Sequence, residues 1–171
     1  MASKTLPTGY SGTQIFLHWA IAALVIFQLV FGEDIVEAYR AFRRGTQPTD
    51  EAVFDANIHV YLGIAVFVLA VWRIALRLKN GAPPAPAGES AIQKLISKLA
   101  HLVLYLAIFL MPISGGIAWF AGVGAAGEVH EIGKPVLIIF VTLHALGALY
   151  QHFVARSDVL VRMLKPVRRS V

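Results

Sequence analysis

The stretch from His130 to Arg156, HEIGKPVLIIFVTLHALGALYQHFVAR, is an apolar segment of membrane-spanning length that carries three of the chain's six histidines. His130 and His144 are fourteen residues apart, which places them on nearly the same helix face and about 21 Å apart along the axis. A hydrocarbon core is about 30 Å thick, so one imidazole is expected toward each leaflet. Ionisable side chains are costly inside a membrane and mark functional sites. The spacing therefore predicts two cofactor sites on opposite sides of a bilayer.

The composition is that of a membrane protein. The chain has 171 residues, 57% of them hydrophobic, and a mean hydropathy of +0.68, which is too apolar for an ordinary soluble domain. It contains no cysteine, which excludes disulfides, thiolate metal sites, cysteine-ligated iron–sulfur clusters and covalent haem attachment. Histidine is thus the strongest available metal ligand. The net charge of +5 is typical of basic cytoplasmic loops, and no motif indicates nucleic-acid binding.

Four apolar spans, at about 15–32, 56–76, 95–121 and 135–155, predict an all-α four-helix transmembrane bundle that forms a single domain over residues 1–171. Pro112 should kink the third span. Between the spans, EAYRAFRRG is expected to form a short amphipathic turn on the surface. NGAPPAPAGES is expected to be an extended linker, and AGVGAAGEVHE a short flexible loop.

Basic residues predict the orientation of the bundle. Eleven of them lie in the N-terminus, the middle loop and the C-terminal tail, against four on the other side. Because cytoplasmic loops are enriched in Lys and Arg, both termini and the 77–98 loop should be cytoplasmic. The eleven are Lys4, Arg73, Arg77, Lys79, Lys94, Lys98, Arg156, Arg162, Lys165, Arg168 and Arg169, and the four are Arg40, Arg43, Arg44 and Lys134.

Depth matching groups four histidines into two pairs. His18 lies fourteen residues before the outer end of the first span, about 21 Å below it, which is the depth of His144. His59 opens the second span at the level of His130. His152 is twenty-two residues from His130, a rise of about 33 Å, so His144 is preferred as the inner partner.

Other readings of these histidines remain open at this point. A lone membrane histidine is often a core residue that hydrogen-bonds across helices. Intramembrane histidines also serve proton relays, as in a haem-free proton or metal transporter, although no acidic residue lies within the spans. An absorption spectrum separates a haem protein from both alternatives.

Several further residues are candidates for contacts with a cofactor. Gly63 and Gly147 share a helix face with His59 and His144 and leave space for a flat ring, although close helix packing uses glycine in the same way. His101 lies near the cytoplasmic surface with no unpaired histidine predicted at its depth. It could line a quinone pocket, bind a haem propionate or be a simple interfacial residue. Arg73 and Arg77 suit propionates, although the orientation rule also explains them.

Four pieces of the chain resemble the bacterial di-haem cytochrome b561 family: YSGTQIFLHW, NIHVYLGIAVFVLAVWRIALRL, AHLVLYLAIFLMPISG and HE…LHALGALYQHFVARSDVLVRMLKP. The resemblance implies two haem b groups, with His18 and His144 as iron ligands on the cytoplasmic side and His59 and His130 on the periplasmic side. The family usually has Trp-His-His near the end of the fourth helix, where this chain has Tyr150-Gln151-His152.

The resemblance also implies a function in the bacterial inner membrane. Two axial imidazoles leave no open position on the iron, so the chemistry is outer-sphere electron transfer. We expect electrons to pass between a periplasmic donor and the ubiquinone pool. Two donors are consistent with the resemblance. One is superoxide, which some similar proteins oxidise and which Arg40, Arg43 and Arg44 would attract. The other is a redox protein, as in cytochrome subunits that anchor periplasmic dehydrogenases and hydrogenases. The sequence does not indicate the oligomeric state.

Overall fold

The computed structural model describes residues 7–33, 35–86 and 88–167. Four of its helices are long and apolar enough to cross a membrane, so the prediction of an all-α membrane protein with four spanning helices is confirmed. Lys4, Asp34, Arg168 and Arg169 lie outside the described residues, and the cytoplasmic location of the termini stays a prediction. The helices within these ranges are α1 (Gly12–Phe31), α2 (Ile35–Arg44), α3 (Asp50–Asn80), α4 (Ala91–Ala121), α5 (Gly124–Phe153) and α6 (Val159–Arg162).

Polar caps start the spanning helices earlier than the apolar pattern predicts. Ser11 and Gln14 form a capping box at the start of α1, and Ser90 with Gln93 does the same for α4. Thr49 accepts a hydrogen bond from an amide of the first turn of α3. Because capped turns tolerate polar side chains, α3 and α4 begin at residues 50 and 91 rather than at about 56 and 95.

The glycine-rich stretch AGVGAAGEVHE is not a loop, and this prediction is wrong. Only residues 122 and 123 separate α4 from α5, and Gly122 has a positive φ of 68° that ends α4. A Cβ atom on Gly124 or Gly127 would collide with side chains of α2. Close packing against α2 therefore stabilises the helical conformation of residues that have little helix propensity of their own.

Helix α2 is the ordered form of the predicted amphipathic turn. Its Ala38 is buried in a small cluster with Ala52 and Ala56 of α3, and its Phe42 stacks on Trp119 of α4 with ring centroids 6.3 Å apart. These contacts place α2 across one end of the bundle, between α3 and α4. By the orientation rule this is the outer end, and we use inner and outer in that sense below.

The bundle packs as two helix pairs. Helix α1 lies against α3, α4 lies against α5, and α3 joins the pairs through α4. Helices α1 and α5 are not in extensive backbone contact. Only 6% of the most apolar window of α5 is buried. The central apolar cluster consists of Ile21, Val25, Val66, Ala70, Ala107 and Leu137.

Hydrogen bonds between distant segments close the inner end. The Trp19 indole donates to the Met163 carbonyl over 2.8 Å. Gln151 donates to the Glu89 carboxylate over 2.6 Å and accepts from the Ser157 hydroxyl at 2.8 Å. Gln151 therefore connects the middle linker to the end of α5.

Candidate functional site

The inner histidine pair joins α1 to α5. The imidazoles of His18 and His144 are half-buried, with ring centroids 6.0 Å apart and ring planes at 72°. A metal–imidazole bond is about 2 Å long, so two rings on opposite sides of one ion have centroids about 6 Å apart once the ring radii are added. The spacing of this pair suits a single metal ion between the rings.

The outer pair joins α3 to α5 with nearly the same geometry. The His59 and His130 rings have centroids 5.9 Å apart and planes at 72°, and both are half-buried. Helix α5 therefore contributes one imidazole to each pair, while α1 and α3 contribute the partners. The sequence-predicted pairs are brought together, although ligation of a metal by them stays a prediction.

Two ligands do not complete a coordination sphere. No group of three or more His, Cys, Asp or Glu side chains in the described part of the chain is arranged to hold a metal ion. Iron held by either pair would need its remaining ligands from a non-protein group, and a porphyrin supplies them in haem proteins. The donor set therefore fits haem better than a bare metal ion.

The second ring nitrogens of the outer pair differ in their surroundings. Nδ1 of His130 lies 2.7 Å from the Met111 carbonyl oxygen, to which its N–H donates, leaving Nε2 free for a metal. Nδ1 of His59 is buried without a hydrogen-bond partner among the described residues. The backbone carbonyl of His59 accepts from the Gln28 amide at 2.8 Å, which fixes this turn of α3 to α1.

Two glycines that the sequence did not single out lie against the outer rings. A Cβ on Gly115 would come within 2.9 Å of His130 Nδ1, and one on Gly32 within 3.0 Å of His59 Nδ1. Both glycines are distant in sequence from the histidine that they contact. No periodicity within one helix could therefore have identified them.

The two predicted glycines have more open surroundings. A Cβ on Gly147 would meet nothing within 4 Å, and one on Gly63 would approach only the Gln28 amide nitrogen, at 3.8 Å. Neither glycine therefore serves close helix packing. Space for a flat ring beside the histidines stays a prediction.

His101 has a histidine neighbour that the sequence did not predict. Its ring centroid is 5.1 Å from that of His144, and its Nδ1 lies 2.7 Å from the Ser97 carbonyl oxygen. The inner end therefore brings three imidazoles together. His152 has a ring contact with Phe153 at 4.8 Å and with no histidine among the described residues, which agrees with the preference for His144.

Arg73 and Arg77 lie at the inner end, where they have protein partners. Nη1 of Arg73 donates to the Gln14 carbonyl over 2.8 Å, one turn of α1 before His18. The Arg77 guanidinium lies over the Tyr105 ring, 5.8 Å from its centroid. With Tyr10, these residues line a small depression beside the inner histidines. Arginine and tyrosine donors suit an anionic or carbonyl-bearing ligand.

An acidic depression of about 400 Å³ opens one turn outside His59. The Lys134 ammonium forms a hydrogen bond and ion pair with Glu33, which holds the pKa of that carboxyl below its usual value. Glu33 is therefore ionised at neutral pH, and Lys134 offsets only this charge. The lining residues are Glu33, Glu37, Thr49, Glu51, Ala52 and Asp55.

Comparison with known proteins identifies the family. Residues 9–166 match the family described as prokaryotic cytochrome b561. Cytochrome b562 of Cereibacter sphaeroides is 36% identical over 95% of this chain and 99% of its own length. The probable superoxide oxidase CybB of Yersinia pestis is 27% identical over 93% and 97%, and cytochrome b561 homolog 1 of Escherichia coli is 24% identical over 91% and 96%. The chain therefore belongs to the prokaryotic cytochrome b561 family, whose members are bacterial multi-pass membrane proteins that transfer electrons through haem b.

Proposed function

We propose that this protein binds two haem b groups and passes electrons through them between a donor on the outer side and quinone on the inner side. The observation that carries the proposal is the pair of matched imidazole couples, with ring centroids 6.0 and 5.9 Å apart. His18 and His144 hold the inner group, and His59 and His130 hold the outer one.

A haem held by either pair would supply one-electron transfer. The chain's own contribution is to fix the imidazoles on three helices. The Met111 carbonyl orients the His130 ring, and the hydrogen bond from Gln28 to the His59 carbonyl holds α3 in register with α1. Such contacts fix the tautomer and direction of a ligand histidine.

We infer quinone as the second substrate from the residue types around the inner depression, which has a volume of only about 10 Å³ and would have to widen to admit a quinone ring. Tyr10, Arg73, Arg77 and Tyr105 offer hydrogen-bond donors and aromatic faces in one place. A quinone ring is flat and carries two carbonyl acceptors, so aromatic contact and donation to its oxygens suit this lining. The His101 and His144 rings, 5.1 Å apart, lie at the same end of the bundle, which supports electron transfer to a quinone there.

The proposal is tested by spectroscopy and by electron transfer. Purified protein should contain two haem b groups per chain, with a sharp α-band on reduction. Reconstituted in vesicles that contain ubiquinone, it should pass electrons from an external reductant to the quinone. Protein that binds no haem when expressed with an ample haem supply would contradict the proposal and favour a haem-free transporter.

The acidic depression favours a cationic redox protein as the donor over superoxide. Outer segments of the chain carry eight acidic residues and four basic ones, and Arg43 packs against Gly124 rather than at the depression. An anionic surface slows the approach of an anion and accelerates that of a cation. The name of the Yersinia pestis relative supports superoxide instead. The two donors carry opposite charges, so they make opposite predictions for the effect of removing the acidic side chains.

We expect electron transfer from a small basic c-type cytochrome, used as a probe, to slow as ionic strength rises, because salt screens the attraction. The triple variant Glu37→Gln, Glu51→Gln and Asp55→Asn should lower this rate about tenfold at low salt. Stopped-flow measurement of haem reduction checks both effects. Glu128→Gln is the control, because Glu128 is exposed at the outer end but does not line the depression. If superoxide reduces the haem rapidly, and equally fast in the wild type and the triple variant, the preference for a cationic donor is contradicted.

A further inference from the structure

The hydroxyl of Tyr39 is buried and has no hydrogen-bond partner among the described residues. In the described part of the chain, this oxygen and His59 Nδ1 are the only buried polar side-chain atoms that make no hydrogen bond. A buried hydroxyl that loses its hydrogen bonds costs about 1–3 kcal/mol. Such an atom needs an explanation in the form of a water or a bound group.

Tyr39 reaches from α2 to the α5 face that carries His130. Its hydroxyl oxygen would lie 2.5 Å from a Cβ on Gly127, and Gly127 precedes His130 by three residues, a rise of about 4.5 Å. Residues three apart lie on the same side of a helix. The hydroxyl therefore lies about one turn outside the outer imidazole pair.

A cationic group lies one turn farther along the same face. Nη1 of Arg43 would lie 2.4 Å from a Cβ on Gly124, three residues before Gly127. Glycine at both positions lets the α2 side chains lie directly on the α5 backbone. Tyr39 and Arg43 thus place a neutral and a charged donor in a row above His130. This combination suits a carboxylate.

We propose that the Tyr39 hydroxyl donates a hydrogen bond to a propionate carboxylate of the haem held by His59 and His130, with the Arg43 guanidinium as the neighbouring positive charge. This inference rests on the proposed di-haem function. It makes α2 part of the outer cofactor site rather than a surface connection. It also gives the buried Tyr39 hydroxyl a hydrogen-bond partner, the carboxylate of the cofactor.

The test is resonance Raman spectroscopy of the holoprotein, since the bending mode of a haem propionate shifts when the carboxylate loses a hydrogen bond. Tyr39→Phe should shift this mode for one of the two haems and lower the midpoint potential of that haem, because the carboxylate charge is less well neutralised. Tyr61→Phe removes a hydroxyl from an exposed position on α3 and should change neither quantity.

A second measurement compares wild-type protein with the control variant. The reduced-minus-oxidised infrared difference spectrum of wild-type protein with isotope-labelled tyrosine should contain a tyrosine band that Tyr61→Phe leaves in place. If the wild type binds two haems and Tyr39→Phe leaves the propionate mode of both unchanged, this inference alone is overturned. Protein that never binds haem through His59 and His130 would overturn both this inference and the proposed function.

Discussion

His130→Ala is expected to leave the protein with one haem where the wild type binds two. The imidazole of His130 is the α5 partner of His59, at a centroid distance of 5.9 Å, and alanine offers iron no ligand. The inner pair lies fourteen residues along α5 and about 21 Å away, so its haem should remain. A redox-titrated absorption spectrum, together with the haem-to-protein ratio, measures this loss of half the cofactor.

His18→Ala is the matched change at the inner pair and should remove the other haem. It is a better choice than His144→Ala because the His101 ring lies 5.1 Å from that of His144 and could serve as a replacement ligand there. The two single variants should therefore lose different haem components of the redox titration. Each should also stop electron transfer across the vesicle membrane.

His152→Ala is the control for these substitutions. Its ring contacts Phe153, and it should retain both haems with unchanged potentials. A His152→Ala protein that lacks the inner haem would contradict the assignment of His144. Full haem content in both His18→Ala and His130→Ala would contradict the paired-ligand scheme as a whole.

The sequence was a good guide to features that depend on one helix at a time. Apolar length alone predicts the four spanning helices, because a backbone in lipid must satisfy its hydrogen bonds within the segment. The constant rise of a helix converts the positions of His18, His59, His130 and His144 into depths, and histidines predicted to share a depth are neighbours in the structure. Both inferences use only distances along a chain.

Features that depend on contacts between helices could not be predicted in this way. The approach of His101 to His144 results from the packing of α4 on α5, and no spacing within either helix specifies it. The helical start of α5 requires α2 side chains to lie on Gly124 and Gly127. Read alone, these glycines and the alanines between them indicate flexibility. The burial of the Tyr39 hydroxyl has the same origin.

Gly115→Ala should strongly weaken binding of the outer haem, although the residue is neither charged nor polar. The added Cβ would lie 2.9 Å from Nδ1 and 3.0 Å from Cε1 of His130, closer than non-bonded atoms approach. The ring cannot move away freely, because Nδ1 is held 2.7 Å from the Met111 carbonyl and the opposite nitrogen is the proposed iron ligand. Loss of such a supporting contact typically costs about 10- to 100-fold in metal affinity.

Gly116→Ala is the control that separates this effect from helix propensity. The two substitutions add the same methyl group at adjacent residues of α4, and alanine is intrinsically favoured over glycine in a helix by about 1 kcal/mol. A Cβ on Gly116 would meet its nearest neighbour, Phe120, at 4.0 Å, which is ordinary contact. Gly116→Ala should therefore keep both haems and be at least as stable as the wild type, while Gly115→Ala loses the outer haem during purification. Equal haem retention by the two variants would mean that the His130 ring is free to move, and that the close approach of α4 to α5 is not what positions this ligand.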